Sequence, residues 1–330
     1  MIKVEHLTKQ FSKVKAVDNI FFEVKEHENL ILLGTSGCGK TTTLKMINRL
    51  IEPSGGAIFI DGKNTCEQSP EILRRGIGYV LQNNGLFPHY TVAENIAIVP
   101  KLLKWDKKRI EKRIAVLLEK LHLSTDYLHV YPNELSGGQQ QRIGLARALV
   151  ADPPVLLMDE PFGALDNVTR SKIHAEFKGL DELKRKTIIM VTHDVQEAFE
   201  LGDRICLMDK GKIVQDGTPT ELLFNPVNKF VEDFLKEQRL QLEFKTVKLF
   251  DIWEWLTYNS AEGIKSDHSQ NKGAAISVPD NDSFWAALEK FKFNSSESIT
   301  IRSQQKGDRY ATFEQLMSAF YQYKKQQAHE

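Results

Sequence analysis

The chain has 330 residues, 41% hydrophobic and 27% charged, with 44 basic against 44 acidic side chains. That length suggests two domains with at least one large core, and a formal net charge of zero gives no global field for nucleic acid or an anionic membrane. Cys38, Cys66 and Cys206 lack C-x-x-C spacing, which excludes a disulfide framework and fits a reducing cytoplasm. The opening MIKVEHLTKQF has no secretory pattern, and no run nears the ~18 apolar residues of a membrane span.

In chain order, IKVEHL and AVDNIFFEV read as two strands of an N-terminal antiparallel layer, with Phe11 between them. Phe11 has two readings: an aromatic that stacks on a purine ring, or a loop aromatic packed on the core. Leu30–Leu33 then form a buried strand, GTSGCGKTT a glycine-rich turn, and Thr42–Leu50 a helical pattern that opens near Lys40. Gly34, Gly39, Lys40 and Thr41 stand at the spacing G-x-x-x-x-G-K-S/T. The turn through Thr35, Ser36, Gly37 and Cys38 points successive N–H groups inward, and the helix adds its positive dipole end. Such a cradle suits phosphate: Lys40 is expected to reach the β- and γ-phosphates, and the Thr41 hydroxyl to ligate magnesium. The plainer alternative is a glycine-rich turn capping an ordinary helix.

Farther on, PSGG marks a turn, AIFIDG a strand with a hairpin turn, and IGYVLQ a strand ending at Gln82. An amide at a strand's C-terminal end can face magnesium or water, and a solvated loop glutamine is the alternative. Thr91–Leu121 is helical in pattern. Its basic cluster Lys107, Lys108, Arg109, Lys112 and Arg113 is interrupted by Glu111 and flanked by Glu119, and reads as a solvated helix face.

Ser136, Gly137 and Gly138 precede a helix running through Ala148, so hydroxyl, backbone N–H groups and helix dipole converge as a second anion site; a serine cap with two flexible glycines is the structural alternative. The apolar strand Val155–Met158 delivers Asp159 and Glu160 to its C-terminal end, where two adjacent carboxylates are costly unless a cation or substrate uses them. Asp159 is expected in the magnesium shell, and Glu160 to orient or deprotonate the attacking water. Asp166 is a helix cap before Val168–Lys184 or a site residue. TIIMVTHD is a further strand ending at His193, a candidate hydrogen-bond partner for the γ-phosphate or a structural histidine. RICLMDKGKIVQDG reads as a hairpin turning at Asp209–Gly211, and PTELLF and NKFVEDFLKEQRL as closing helices of a first domain spanning 1–238.

Together these stretches resemble the ATP-binding-cassette (ABC) transporter ATPases over about residues 1–238. In that family's pattern Gly34–Thr41 matches Walker A, Gln82 the Q-loop, and Leu135–Gln139 (LSGGQ) the signature. Val155–Glu160 matches Walker B with its catalytic glutamate, Ala164–Asp166 the D-loop, and His193 the switch histidine, while Phe11 falls where the family commonly stacks a tyrosine on adenine. The resemblance implies an α/β P-loop NTPase cassette with an antiparallel β subdomain and a helical signature subdomain. It implies ATP and Mg2+, catalysis by Lys40, Gln82, Glu160 and His193, and a head-to-tail homodimer. In that dimer Ser136, Gly137, Gly138 and Gln139 of one copy complete the nucleotide site of the other, with Asp166 contributing.

TTTLKMINRLIEPSGG, GLFPHYTVAENIAIVPKLLKW and the stretch from Tyr131 to Asp166 are similar to ATPases of bacterial osmoprotectant importers for glycine betaine, carnitine or choline. That subgroup implies integral-membrane permease subunits, an extracellular solute-binding protein, no nucleic acid, and a peripheral place at the cytoplasmic face of the membrane. Leu86, Phe87 and Pro88 lie where the family docks a membrane partner's coupling helix. An importer for another small solute is the near alternative. A soluble cassette acting on DNA or ribosomes is the distant one, because the 96 positions from Lys40 to Ser136 leave no room for a long insertion.

Residues 239–330 change character: TYNSAEGIKSDHSQNKG is polar and loop-like, followed by AAISVP, the amphipathic DSFWAALEKFKF, a strand ITIRS and a helix TFEQLMSAFYQY. This small α+β unit resembles one degenerate copy of a cystathionine-β-synthase (CBS) module without a clear second copy. A structural or dimer-forming tail and a regulatory sensor both remain open.

Overall fold

Alternating burial runs through Ile2–Phe11 (β1) with one break: Ile2, Val4 and Leu7 all face the core although Val4 and Leu7 are three apart. His6, at φ 49°, is the extra residue of a bulge that restores the inward face. β1 pairs antiparallel with Val14–Val24 (β2), which buries Val17, Ile20, Phe22 and Val24. The computed structural model describes residues 1–82, 85–163, 165–256, 276–294 and 298–327. Ala164 of the expected D-loop, the polar loop at 257–273 and Ala274–Ala275 lie outside the described residues.

Asn29–Gly34 (β3) is buried along Leu30–Leu33 on both faces, which is why the sequence shows an unbroken apolar run there. After the glycine-rich turn come Lys40–Ile47 (α1), then Gly55–Ile60 (β4) and Lys63–Asn64 (β5), which complete a four-stranded sheet in the order β2-β1-β4-β5. Pro70–Arg75 (α2) starts at the Ser69 cap with proline at its first position, and leads to Ile77–Val80 (β6). Val92–Leu102 (α3) is opened by a Thr91/Glu94 capping box, and Lys107–Lys120 (α4) by the Asp106 side chain.

α4 buries Ile110, Ile114, Leu117 and Leu118 and exposes Lys107, Lys108, Arg109 and Lys112. Arg113 departs from the expected solvated face: it turns inward to Glu182 at 2.6 Å and to the Leu149 and Val150 carbonyls. Gly137–Leu149 (α5), Val155–Asp159 (β7), Asn167–Gly179 (α6), Thr187–Thr192 (β8), Val195–Leu201 (α7), Arg204–Asp209 (β9) and Lys212–Gly217 (β10) follow. α6 stops at Gly179 instead of continuing to Lys184, because glycine is a poor helix former; a short 3-10 turn at Leu183–Arg185 takes over.

The six-stranded sheet runs β10-β9-β3-β8-β7-β6, with β9, β3, β8, β7 and β6 mutually parallel through their neighbours. Leu33 is level with Thr192, Asp159 with Val191, and Met158 with both Met190 and Val80. The strands therefore deliver their C-terminal ends to one edge. β6 ends at Val80, two residues before Gln82; among the described residues it is the edge strand and pairs with β7 alone.

Contacts divide the chain into two units, Met1–Asp216 and Gly217–Glu330. The second contains Pro219–Phe224 (α8), Lys229–Leu235 (α9), Arg239–Thr246 (α10), Ser277–Pro279 (β11), Phe284–Asn294 (α11), Ser298–Arg302 (β12), Arg309–Thr312 (β13) and Phe313–Gln327 (α12). The division falls ahead of residue 238 because α8 packs on later helices: Arg239 donates to the Leu223 carbonyl at 2.6 Å, and Phe224 meets Tyr323 edge-on at 5.7 Å. β11 and β12 run parallel, β12 and β13 antiparallel. Phe244, Phe284 and Phe320 stack at 4.8–5.2 Å as the heart of this unit.

Candidate nucleotide site

The glycine-rich turn is confined from two sides. At Gly39, φ is 107° and an added Cβ would strike the Ala16 carbonyl of β2 at 2.4 Å; at Gly34 it would strike the Met208 carbonyl of β9 at 2.2 Å. The β9–β10 turn also touches the loop, with the Gly211 N–H donating to the Cys38 carbonyl at 3.1 Å. Gly39 has no side chain with which to cap α1, so the first amides of that helix are left to another acceptor.

Lys40 begins α1 and is only 4% exposed. Its ammonium donates to the carbonyls of Gly34 at 2.7 Å and Thr35 at 2.8 Å, so the loop it closes also solvates it. Cys38 Sγ is 3.7 Å from that nitrogen, yet burial pushes the thiol's pKa up and keeps it protonated.

Next to Lys40, the Thr41 hydroxyl donates to Asp159 Oδ1 at 2.8 Å. Asp159 is buried at the end of β7, and burial pushes its carboxyl pKa up, opposed by the Thr41 bond and by Lys45 and Lys40. Glu160 follows at φ 44°, a left-handed conformation uncommon for a non-glycine residue, with its N–H held by the Val191 carbonyl at 2.9 Å. This turn lifts the side chain out of the strand. Glu160 Oε2 accepts from Gln82 Nε2 at 3.0 Å and contacts His193 Nδ1 at 3.2 Å. Residues following three strands, β6, β7 and β8, thus meet at one carboxylate.

The structure brings Gln82, Lys40, Thr41, Asp159, Glu160 and His193 to the same sheet edge. Phe11 stands elsewhere. It is the last residue of β1 opposite Val14, not a linker between strands, and at 48% exposure it is not a core aromatic; Lys9 lies over its ring at 5.1 Å. Ser136 and Gln139 form a reciprocal capping box, the Gln139 N–H donating to Ser136 Oγ at 3.4 Å and the Ser136 N–H to Gln139 Oε1 at 2.8 Å. Ser136 and Gly137 are exposed. Asp166 Oδ1 accepts from the Thr169 N–H at 3.0 Å, so it caps the start of α6.

Sequence reasoning missed Arg170, His174 and Glu197. Arg170 joins Asp194 to the Leu165 carbonyl, and His174 sits between Glu197 and Glu200. No spacing rule announces contacts between two separate helices. Tyr79 was also unmarked: its buried hydroxyl has no hydrogen-bond partner among the described residues, and burial pushes its pKa up.

A glycine-rich loop joining a parallel strand to a helix, with a threonine hydroxyl on an acidic strand end, defines a P-loop nucleotide-binding domain. Residues 17–163 match the ABC transporter family. The chain is 48% identical over 297 residues to the osmoprotectant import ATP-binding protein OsmV of Salmonella typhimurium, covering 86% of this chain and 77% of that one. It is 55% identical over 241 residues to the glycine betaine/carnitine/choline transport ATP-binding protein OpuCA of Bacillus subtilis, covering 73% of this chain. It spans only 63% of that relative's length. Among solved structures, the dimeric post-hydrolysis state of the ATP-binding cassette MJ0796 bound to ADP and Pi aligns with TM-score 0.60 and 34% identity, over 66% of this chain and 98% of that one. The chain belongs to the ABC transporter family of ATP-binding proteins, and its fold is the α/β ATP-binding cassette with an additional small α+β unit.

Proposed function

We propose that this chain is the ATP-hydrolysing subunit of a bacterial ABC importer for an osmoprotectant of the quaternary ammonium class. The observation that carries the hydrolytic reading is Glu160, turned out of its strand and held by Gln82 and His193 beside the Thr41–Asp159 pair. The solute class follows the names of the relatives.

In the proposed reaction the loop amides of Gly34–Gly39 and the Lys40 ammonium hold the phosphates, and Thr42 extends the cradle into α1. Phe11 offers its exposed ring to adenine. Thr41, Asp159 and Gln82 suit a magnesium ion, because a hydroxyl, a carboxylate and an amide oxygen are hard donors, and the first two already touch. Bound there, magnesium neutralises phosphate charge. Glu160 orients and deprotonates water, and His193 steadies Glu160 and the terminal phosphate. Ser136, Gly137, Gly138, Gln139 and Asp166 act on the nucleotide of a second copy, for which the exposed signature turn is accessible.

We place the functional cassette at 1–238, with 239–330 as a regulatory or dimerisation domain of CBS-like character. No described helix is long and apolar enough to cross a membrane. The chain would work at the cytoplasmic face, attached to permease subunits and served by an extracellular solute-binding protein. Phe87 and Tyr90, about two-fifths exposed, line a groove of 520 Å³ with Ile98 and Leu102, which supports permease docking there.

The test is Glu160→Gln. Turnover should fall to background while ATP drives a stable dimer, measured by phosphate release and size-exclusion chromatography. Undiminished turnover removes Glu160 as the base. Uptake of labelled betaine, carnitine and choline by membranes carrying the permease tests the solute class, and the absence of uptake of all three rejects it.

A further inference from the structure

His193 has an exposed side chain whose described partner is Glu160, so its placement depends on the backbone on either side. Both sides are held from α6. On the preceding side, Thr192 Oγ1 hydrogen-bonds Glu197 Oε2, and Glu197, 3% exposed, lies 3.4 Å from His174 Nε2. The other His174 nitrogen, Nδ1, is 3.2 Å from Glu200. On the following side, Asp194 accepts from Arg170 Nη1 at 2.9 Å, while Arg170 Nη2 donates to the Leu165 carbonyl at 2.8 Å.

Arg170 and His174 are four residues apart and share one face of α6. Asp194, Glu197 and Glu200 follow at intervals of three on the segment opposite. Phe162 closes the contact, its ring 4.8 Å from His174 and edge-on. A buried carboxylate facing a buried imidazole is tolerable when the pair is ionised and matched. Burial lowers the His174 pKa, but its pairing with the Glu197 and Glu200 carboxylates outweighs it and raises it to about 9, so the ring is a cation at neutral pH.

We propose that Arg170 and His174 are positioning residues for His193: together they clamp the 192–194 turn and tie it to the Leu165–Asp166 turn, keeping His193 against Glu160. The clamp rests on the reading of Glu160 and His193 as hydrolytic groups. Of the two, Arg170 spans both turns, because its planar fork aims two N–H donors in fixed directions, a geometry the single nitrogen of a lysine does not reproduce. His174 fixes Glu197, which in turn fixes Thr192.

The experiment compares the full chain with His174→Ala, His174→Gln, Arg170→Met, Arg170→Lys and, as a control on the same helix, Glu176→Gln, which cuts the ion pair to Arg142. ATP turnover gives kcat and KM, and hydrogen exchange of the ATP-free chain reports the amides of 192–197. His174→Ala and Arg170→Met should each lose about tenfold in kcat with KM within about twofold, because a displaced His193 affects the reaction more than nucleotide binding. Exchange should speed up at 192–197 and stay unchanged at 34–41. His174→Gln, whose amide keeps a polar N–H donor facing Glu197, should recover most of kcat, Arg170→Lys only part, and Glu176→Gln should match the wild type. An unchanged kcat in both His174→Ala and Arg170→Met overturns the proposal whatever exchange shows, as does a loss confined to KM. A wild type without turnover overturns the hydrolytic reading instead. The exchange arm then decides the clamp alone, and unchanged exchange at 192–197 overturns it.

Discussion

Thr41 and Asp159, 118 positions apart, are joined by a 2.8 Å hydrogen bond from the threonine hydroxyl to the carboxylate. The bond spans α1 and the end of β7 and sets two hard oxygen donors side by side. Replacing Thr41 with valine keeps the shape and removes the hydroxyl. Magnesium-dependent ATP turnover should fall by about 100-fold or more, with Thr41→Ser close to wild type. Initial rates across a magnesium titration check this, and a Thr41→Val rate within a few-fold of wild type would refute it.

Gly39→Ala tests the confinement of the phosphate loop. The new methyl would meet the Ala16 carbonyl at 2.4 Å in a backbone at φ 107°. Unfolding free energy should drop by about 1–3 kcal/mol, and nucleotide binding should be lost. At Gly37 φ is 78° but the space is open, so alanine there carries backbone strain only. Thermal unfolding of the two variants should rank Gly39→Ala as the less stable.

His174 makes stability depend on pH in a defined direction. Its folded pKa is raised to about 9 from a usual 6.5, so the folded state binds the proton more tightly than the unfolded chain. The stabilisation is complete below about pH 6.5 and lost as pH rises through about 9, with a full value of order 3 kcal/mol. Denaturant unfolding of wild type and His174→Ala at several pH values should show a stability gap that narrows from pH 6 to pH 10. A gap independent of pH would exclude a charged His174.

In the second unit, Glu243 is fully buried and held by Lys324 at 2.7 Å and Arg239 at 3.0 Å. Lys324→Met leaves the buried carboxylate with Arg239 as its one cationic partner among the described residues, which should destabilise the unit by about 3 kcal/mol. The double variant Lys324→Met/Glu243→Leu should recover much of that loss, because the buried carboxylate is then gone. Chemical denaturation of the full chain followed by near-ultraviolet signals from Trp253 and Trp255 checks both.

Much of the site was legible before the fold. The glycine-rich loop with Lys40 and Thr41, and the acid pair after an apolar strand, are local patterns whose chemistry depends on neighbours in sequence. The capping boxes at Thr91/Glu94 and Ser136/Gln139 are equally local, since each is closed within four residues. Less legible were elements set by partners. β6 stops short of Gln82, with its ladder on one side only among the described residues, and Arg113 turns from solvent to reach Glu182, 69 positions away.

By itself the sequence determined which candidate site residues fall at strand ends and helix starts, because burial periodicity, glycine freedom and capping act over a few residues. Only the tertiary structure decided what each of them meets. Gln82 and Glu160 are 78 positions apart, and they touch because parallel strands end level at one sheet edge. Arg170 and His174 acquire their acids because α6 packs against the segment that follows His193. Such contacts follow from the order and register of whole strands and helices, which no short stretch of residues encodes.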